Sequence, residues 1–395
     1  MKKLRIIVSG YIGLYPSGGV TWDYIQYPLG LHLMGHDVYY FEDTHQYPVY
    51  QTEKSKWDDC TASVDYLRKT MESAGLAQRW AYRDVATGRW FGLKGERVAE
   101  IFRTADVFIN VSSATHIYLP EYASIPVRVL IDSDPMFTQV QYWNDEQPEE
   151  SIKEISTLFN WYTDLFSFGE HIGKDDCRIP TYGFDWKTTR QPICLQEWAN
   201  RNQSFEDGAF TTIMNWSARS PMRYKGELWG QKDVEFLKYK KTPTLFRERR
   251  FEIIVSCAIH AKDSFNKQDT ERDGWNVFEP EEKIASPAHY KEFIVSSGGE
   301  FSVAKETYVK SNSGWFSCRS ACYLAAGRPV VAQETQWSKY IPSGKGVFAF
   351  DSEESALHAL DEISSNSSAH SKAAVAIANE FFDSNKVLEQ LLNQL

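Results

Sequence analysis

Short runs of apolar, β-branched residues alternate with helical stretches along this chain, and the alternation starts again past its midpoint. Strand–helix–strand order implies parallel strands joined by crossover helices that cover both faces of the sheet. Residues 4–9 read as the first strand, 20–34 as a helix closed by Gly35, and 37–41 as the next strand. Residues 106–111, 127–132 and 164–168 are continuous runs of the fully buried kind. Between them, 56–75 predicts a helix and 78–95 an aromatic-rich irregular segment. After a polar stretch at 200–208 the pattern restarts, with strands expected at 210–215, 251–257 and 292–296. A helix at 314–326 ends at Gly327, strands follow at 329–333 and 346–350, and helices at 352–364, 369–382 and 384–395. The 395 residues suit two α/β units of roughly 200 residues each. The division expected is 1–205 and 206–383, with ligands held between the C-terminal ends of the two sets of strands.

Composition narrows the class. At 42% hydrophobic and 24% charged residues, the chain is globular rather than disordered. No apolar run approaches the ~18 residues that cross a bilayer. The apolar start gives way at once to Gly10, Gly13, Pro16, Gly18 and Gly19, which reads as a buried strand entering a glycine loop rather than an export signal. Six scattered cysteines without CxxC spacing are expected to be reduced, which suits a cytoplasmic protein. Cys318 and Cys322 lie four apart on a predicted helix, but no histidine is near them, so no metal site is expected. A net charge of −10 excludes a surface built throughout to grip polyanions. Charge is uneven, however: positions 219–250 hold ten Lys/Arg against four Asp/Glu. That stretch reads as a solvated helix face with some phosphate ligands, or as a docking surface for an anionic acceptor.

The strongest local signal runs from Ser311 to Thr335. Small and hydroxyl residues lead into a helix that ends at glycine and passes through proline into a buried strand. A helix N-terminus offers unpaired N–H groups and a positive dipole end, so it suits phosphate. Ser317 and Ser320 would add hydroxyl donors, and Arg319 a fork for phosphate oxygens. The bland alternative is an ordinary capped helix with Arg319 on its surface.

This segment resembles the donor-site helix of GT-B glycosyltransferases. Gly327, Pro329, Val330 and Val331 match that family's helix terminator, and Gly314, Trp315 and Ser317 resemble its Gly-Trp-Asn-Ser turn. Landmarks at Gly18-Gly19-Val20, at 35–38, at 300–305 and at 378–383 extend the resemblance to bacterial group-1-like nucleotide-sugar glycosyltransferases over nearly the whole chain. The resemblance implies two Rossmann-like domains facing across a cleft, with C-terminal helices packing back and 384–395 returning to the first domain. It also implies a metal-independent hexosyl- or pentosyl-transferase with no cofactor beyond a nucleotide-diphosphate sugar, UDP being the commonest nucleotide. Many retaining members carry two glutamates on this helix where Gly314 and Cys322 stand. Ribose recognition is then expected from Glu300 or Glu334. Arg219, Lys225 and Lys232, after the first strand of the second unit, are candidates for balancing the leaving diphosphate.

At the acceptor end, Gly18 and Gly19 would let backbone N–H groups approach a ligand. The loop is not G-x-G-x-x-G, so a dinucleotide oxidoreductase is disfavoured. An inverting transferase needs a base for the acceptor hydroxyl. Asp23 is the first candidate, then His116, then Asp132 or Asp134. Asp132-Ser-Asp134 has metal-ligand spacing but lies in the first unit, away from the expected diphosphate. Trp22, Tyr24, Trp315 and Trp337 are near the expected cleft, where rings could stack on sugars, although aromatics are more often core. The acceptor is not legible: a glycan, a small molecule, or the modified base of DNA as in phage-type enzymes of this architecture. Two further readings are a non-catalytic GT-B-like binding protein and a nucleotide-sugar epimerase.

Overall fold

The computed structural model describes residues 2–49, 56–116, 119–199, 208–257 and 264–395; most of the polar stretch 200–208 therefore lies outside the described residues. The first unit is an eight-stranded sheet of β1 (Arg5–Ser9), β2 (Asp37–Glu42), β3 (Trp80–Arg83), β4 (Trp90–Gly92), β5 (Val107–Val111), β6 (Val127–Asp132), β7 (Asp164–Ser167) and β8 (Trp186–Thr188). Its order is β4-β3-β2-β1-β5-β6-β7-β8, and every pair is parallel except β3–β4. The second unit contributes β9 (Phe210–Asn215), a small antiparallel hairpin of β10 (Met222–Tyr224) and β11 (Glu227–Trp229), then β12 (Phe251–Ser256), β13 (Trp275–Phe278), β14 (Gly299–Ser302), β15 (Val330–Gln333) and β16 (Val347–Phe350). Its main sheet is wholly parallel in the order β13-β12-β9-β14-β15-β16.

Both sheets reverse strand order beside their first strand: β1 sits between β2 and β5, and β9 between β12 and β14. Ligand crevices in open α/β sheets form at such switch points, beyond the C-terminal strand ends. The loops there are 10–17 and 112–116 in the first unit, and 216–231 and 303–305 in the second.

Two expectations fail. Positions 292–296 are not a strand but the end of the helix Pro287–Ser296, and the strand is β14. Ser286 caps that helix by accepting from the His289 N–H, and Pro287 opens it. Its consecutive buried Phe293, Ile294 and Val295 imitate a short strand run. The segment 78–95 is not irregular: aromatic residues form β3 and β4, joined through a turn at Gly88.

The helix Gly18–Leu33 lies between the units. Eleven of its 16 residues are buried, so it has no solvent face to give an amphipathic signature. It packs on Pro287–Ser296 and Cys318–Ala325 of the second unit and on the C-terminal helix Ser384–Leu392. Trp22 Nε1 donates to the Pro287 carbonyl at 2.9 Å. One apolar cluster consequently runs through both units, joining Ile6, Trp22 and Tyr27 to Tyr290, Phe293, Cys322 and Leu388. Among the described residues no helix is long and apolar enough to cross a membrane.

Candidate functional site

The helix after the switch point of the second sheet opens with Lys232. Its side chain is only 7% exposed, and among the described residues no carboxylate pairs with it. Burial pushes its pKa well below the usual lysine value, Arg319 and Lys305 push it further, and Glu300 alone opposes them. An uncompensated buried cation is expensive, and proteins keep one where a ligand's negative charge will meet it.

Arg319 and Glu300 form the wall beside it. Glu300, on β14, is fully buried; its Oε1 accepts from Arg319 Nε at 2.5 Å, and its Oε2 has no hydrogen-bond partner among the described residues. The Arg319 guanidinium also donates to the Ile213 carbonyl and, at 2.8 Å, to Ser302 Oγ. All three nitrogens are therefore engaged, and Arg319 acts on the site as a fixed positive field rather than as the free phosphate fork the sequence suggests.

The donor-segment helix is Cys318–Ala325, so it starts four residues later than expected, with Ser317 as N-cap. Ser317 and Ser320 line a narrow cavity with Ser302, Ala304, Gln333 and Trp337, and Ser320 Oγ has no hydrogen-bond partner among the described residues. Gly314 is elsewhere. It has φ +72° and presses on the first unit, where an added Cβ would lie 2.5 Å from the His171 nitrogen. Trp315 Nε1 reaches the Ser133 carbonyl at 3.1 Å, and Thr335 Oγ1 donates to the Trp315 carbonyl. These three residues brace the two units against each other. Glu334 Oε1 accepts from the Gln336 N–H, closing a left-handed turn, and Lys225 is an exposed hairpin cation over the Tyr224 ring. Neither is brought to the buried wall.

Across the cleft, Asp23 is raised to about 7 by burial, with Arg319 opposing. Its neighbour on the same helix, Gln26, reaches Cys322 Sγ at 3.9 Å, in the place of the second expected glutamate. Gly18 and Gly19 do not form a ligand-facing loop: they open the helix and fit against Tyr290, where a Cβ on Gly18 would lie 2.6 Å from Tyr290 Cβ. The loop before them is anchored by Glu42, which accepts from the Gly13 and Leu14 N–H groups at 2.8 and 2.6 Å and from Tyr40. His116 meets Tyr11 OH at 2.9 Å, and burial lowers its pKa, with His45 adding to the effect. Asp132 is fully buried, and its carboxylate accepts from Gln139, Ser167 and the Asp134 N–H. Asp134 is the one that crosses the cleft: Lys305 Nζ lies 2.9 and 3.0 Å from its two oxygens, Arg219 at 3.3 Å, and Tyr308 OH donates to it. Lys305 and Tyr308 were not singled out by sequence reasoning; Lys305 sits in the 300–305 landmark, which was its only signal. Among the described residues no group of three or more His, Cys, Asp or Glu is arranged to hold a metal ion.

Two facing parallel sheets, with ligand-type residues gathered at both switch points, define a two-domain α/β protein of the GT-B fold. No family model and no curated protein matches the sequence. Solved structures do. HepE of Anabaena in complex with UDP and glucose is similar with a TM-score of 0.57 and 9% identity, over 99% of this chain and 100% of that one. An α-glucosyltransferase in complex with UDP and a 13-mer DNA containing an HMU base is similar with a TM-score of 0.55 and 11% identity, over 100% and 99%. TarM aligns over 81% of this chain at 11% identity and a TM-score of 0.49, and the chain spans 62% of TarM's length.

Proposed function

We propose that the protein transfers a glycosyl group from a nucleotide-diphosphate sugar to a hydroxyl acceptor. The observation that carries this reading is Lys232, a buried lysine with no ion-pair partner among the described residues, at the switch point of the second sheet. Diphosphate leaves with two or more negative charges, which positioned cations and helix dipoles stabilise in a water-poor site. Lys232, the first turn of Cys318–Ala325 and Ser320 Oγ supply such groups, with Arg319 behind them. The orphan Glu300 Oε2 is the acceptor for a ribose hydroxyl that Cys322 cannot provide. HepE and the α-glucosyltransferase, which share the fold, were solved with UDP, and UDP-sugars are the first donors to test. Asp23 is the proposed base, because a carboxylate poised near neutrality accepts a hydroxyl proton most effectively.

A second reading has its own support. The apolar cluster that joins the units, and Gln26 on Cys322, close the cleft over the donor face, as in a GT-B protein that binds or braces rather than turns over. Release of nucleoside diphosphate from a panel of UDP-, GDP-, dTDP- and ADP-sugars separates the two. No release from any of them, with or without acceptor glycans, leaves the binding reading alone standing.

Asp23→Asn is expected to lower turnover at least tenfold while donor affinity stays within a few fold. In the wild type the rate should climb as pH rises through about 7, the value for Asp23, and the variant should lack that limb. Stability carries the opposite sign. The ordinary value is 3.8 and the folded value about 7, so in that window the folded state binds the extra proton. This group's contribution is therefore present at low pH and lost as pH rises to 7. Melting curves of Asp23→Asn should slope less over that range. Glu42 at about 7 and Asp43 at about 6 leave a residual slope.

A further inference from the structure

Three cations of the second domain, Arg219, Lys232 and Lys305, stand on the donor side of the cleft, and the carboxylate of Asp134 from the first domain is inserted among them. It touches Lys305 through both oxygens, at 2.9 and 3.0 Å, and Arg219 at 3.3 Å. It also accepts from Tyr308 OH. Its side chain is 22% exposed and that of Lys305 17%, so the Lys305 contact is shielded from water and weakly screened, whereas Arg219 is 54% exposed. The Arg219 guanidinium and the Lys305 ammonium also share the Phe137 ring, at 4.9 and 4.7 Å from its centroid, which places both heads together beside the same carboxylate. These cations hold Asp134's pKa down against the effect of burial. Asp134 thus does for two of the three cations what an anionic ligand would do, and leaves Lys232 without a partner.

We infer that Asp134 is an internal anion that holds the cleft shut, and that it sets the specificity of the site by admitting only ligands with enough negative charge to replace it. Entry of a ligand separates Lys305 and Arg219 from Asp134 and parts the Gly18–Tyr290 and Trp22–Pro287 contacts. A nucleoside brings nothing to compensate the two cations. A monophosphate, with close to two negative charges, compensates two of the three cations at most and leaves the third uncompensated. A diphosphate spans the cluster and supplies charge for all three. The requirement for a diphosphate accordingly comes from what must be displaced as well as from what binds. This inference rests on the donor-site reading proposed above.

The sign of one substitution distinguishes it from a structural or catalytic role for the same residue. Asp134→Asn keeps the shape and removes the competing charge. In titration calorimetry of the full chain at fixed ionic strength, it is expected to bind inorganic pyrophosphate at least tenfold more tightly than wild type. The preference for pyrophosphate over orthophosphate should shrink in the variant, because the weaker anion no longer faces a competitor. Small-angle scattering should show the ligand-free variant more extended than the wild type. Tyr308→Phe, which removes one donor to Asp134 and changes no charge, should tighten pyrophosphate binding by a smaller factor; it decides the matter if Asp134→Asn does not fold. Unchanged or weaker pyrophosphate binding in both variants overturns the inference while leaving the donor site intact. If pyrophosphate and nucleoside diphosphates bind neither the wild type nor the variants, the donor-site reading falls together with it.

Discussion

Lys232→Met is expected to make the protein more stable and at the same time nearly inactive. Two effects of the same charge produce this pairing. The Lys232 amine is 7% exposed, and burial together with Arg319 and Lys305 makes its protonation costly, with Glu300 as the only favourable charge acting on it. Methionine has nearly the same length and volume, fills the space with carbon and sulfur, and removes the desolvation penalty. Replacing buried charges by apolar groups of similar shape is commonly neutral or stabilising by about 1–4 kcal/mol. With a cooperative unit of about 200 residues, each kcal/mol moves Tm by roughly 2–4 °C. When donor binds, the sign reverses: the ammonium becomes a charge-assisted partner of the diphosphate, worth about 1.5–3 kcal/mol in affinity. Loss of one positioned donor to a developing charge lowers turnover by about 10²–10³-fold. A higher Tm together with a collapsed kcat/KM marks a residue kept for ligand at the expense of stability. A lower Tm would mean that Lys232 is a structural cation, and the transferase reading would lose the observation that carries it.

How far the sequence revealed this is best seen residue by residue. The parallel strands β1, β5 and β15 are legible because strands buried on both faces are written as near-continuous apolar runs, and β6, β9 and β12 as runs broken by single polar residues or a Thr pair. The helix Pro287–Ser296 reads as a strand because its buried residues Phe293, Ile294 and Val295 stand consecutively, which imitates an apolar strand run. Lys232 could be nominated from its place after β9, but its lack of a counter-ion depends on where Glu300 and Asp134 point, which only the folded chain decides. Arg319 illustrates the converse. Its position at the helix start reads as a phosphate ligand, yet the carbonyl of Ile213, Glu300 and Ser302 turn its guanidinium inward. Asp132 and Asp134 are indistinguishable as a local pattern. One is tied down by Gln139 and Ser167 and the other held by Lys305, 171 positions away. Long-range pairing of charges is the information that a local reading lacks.

Gly18→Ala should destabilise the protein, although alanine at a helical glycine is ordinarily stabilising by up to about 1 kcal/mol. Gly18 has no positive φ, so backbone strain plays no part. The obstacle is the other domain: a Cβ there lies 2.6 Å from Tyr290 Cβ and 2.7 Å from the Ser286 carbonyl oxygen. Neither is the end of a flexible side chain that could swing aside. Ser286 caps its helix, and Tyr290 is 4% exposed in the cluster that spans both domains. Overpacking of this kind costs about 1–3 kcal/mol, which outweighs the gain in helix propensity and lowers Tm. The alternative response is for the two domains to part, which breaks the Trp22–Pro287 hydrogen bond and exposes Tyr290 and Phe293 to water. Gly19→Ala is the internal control. Its added Cβ meets only the far side of the Tyr290 ring, at 3.2 Å, and a small ring movement accommodates it. Gly19→Ala should therefore melt within about 1 kcal/mol of wild type, whereas Gly18→Ala should melt lower, scatter as a more extended particle, or both. If the two glycine variants behave alike and both gain stability, the cleft stands open in solution and the contact with Tyr290 does not form.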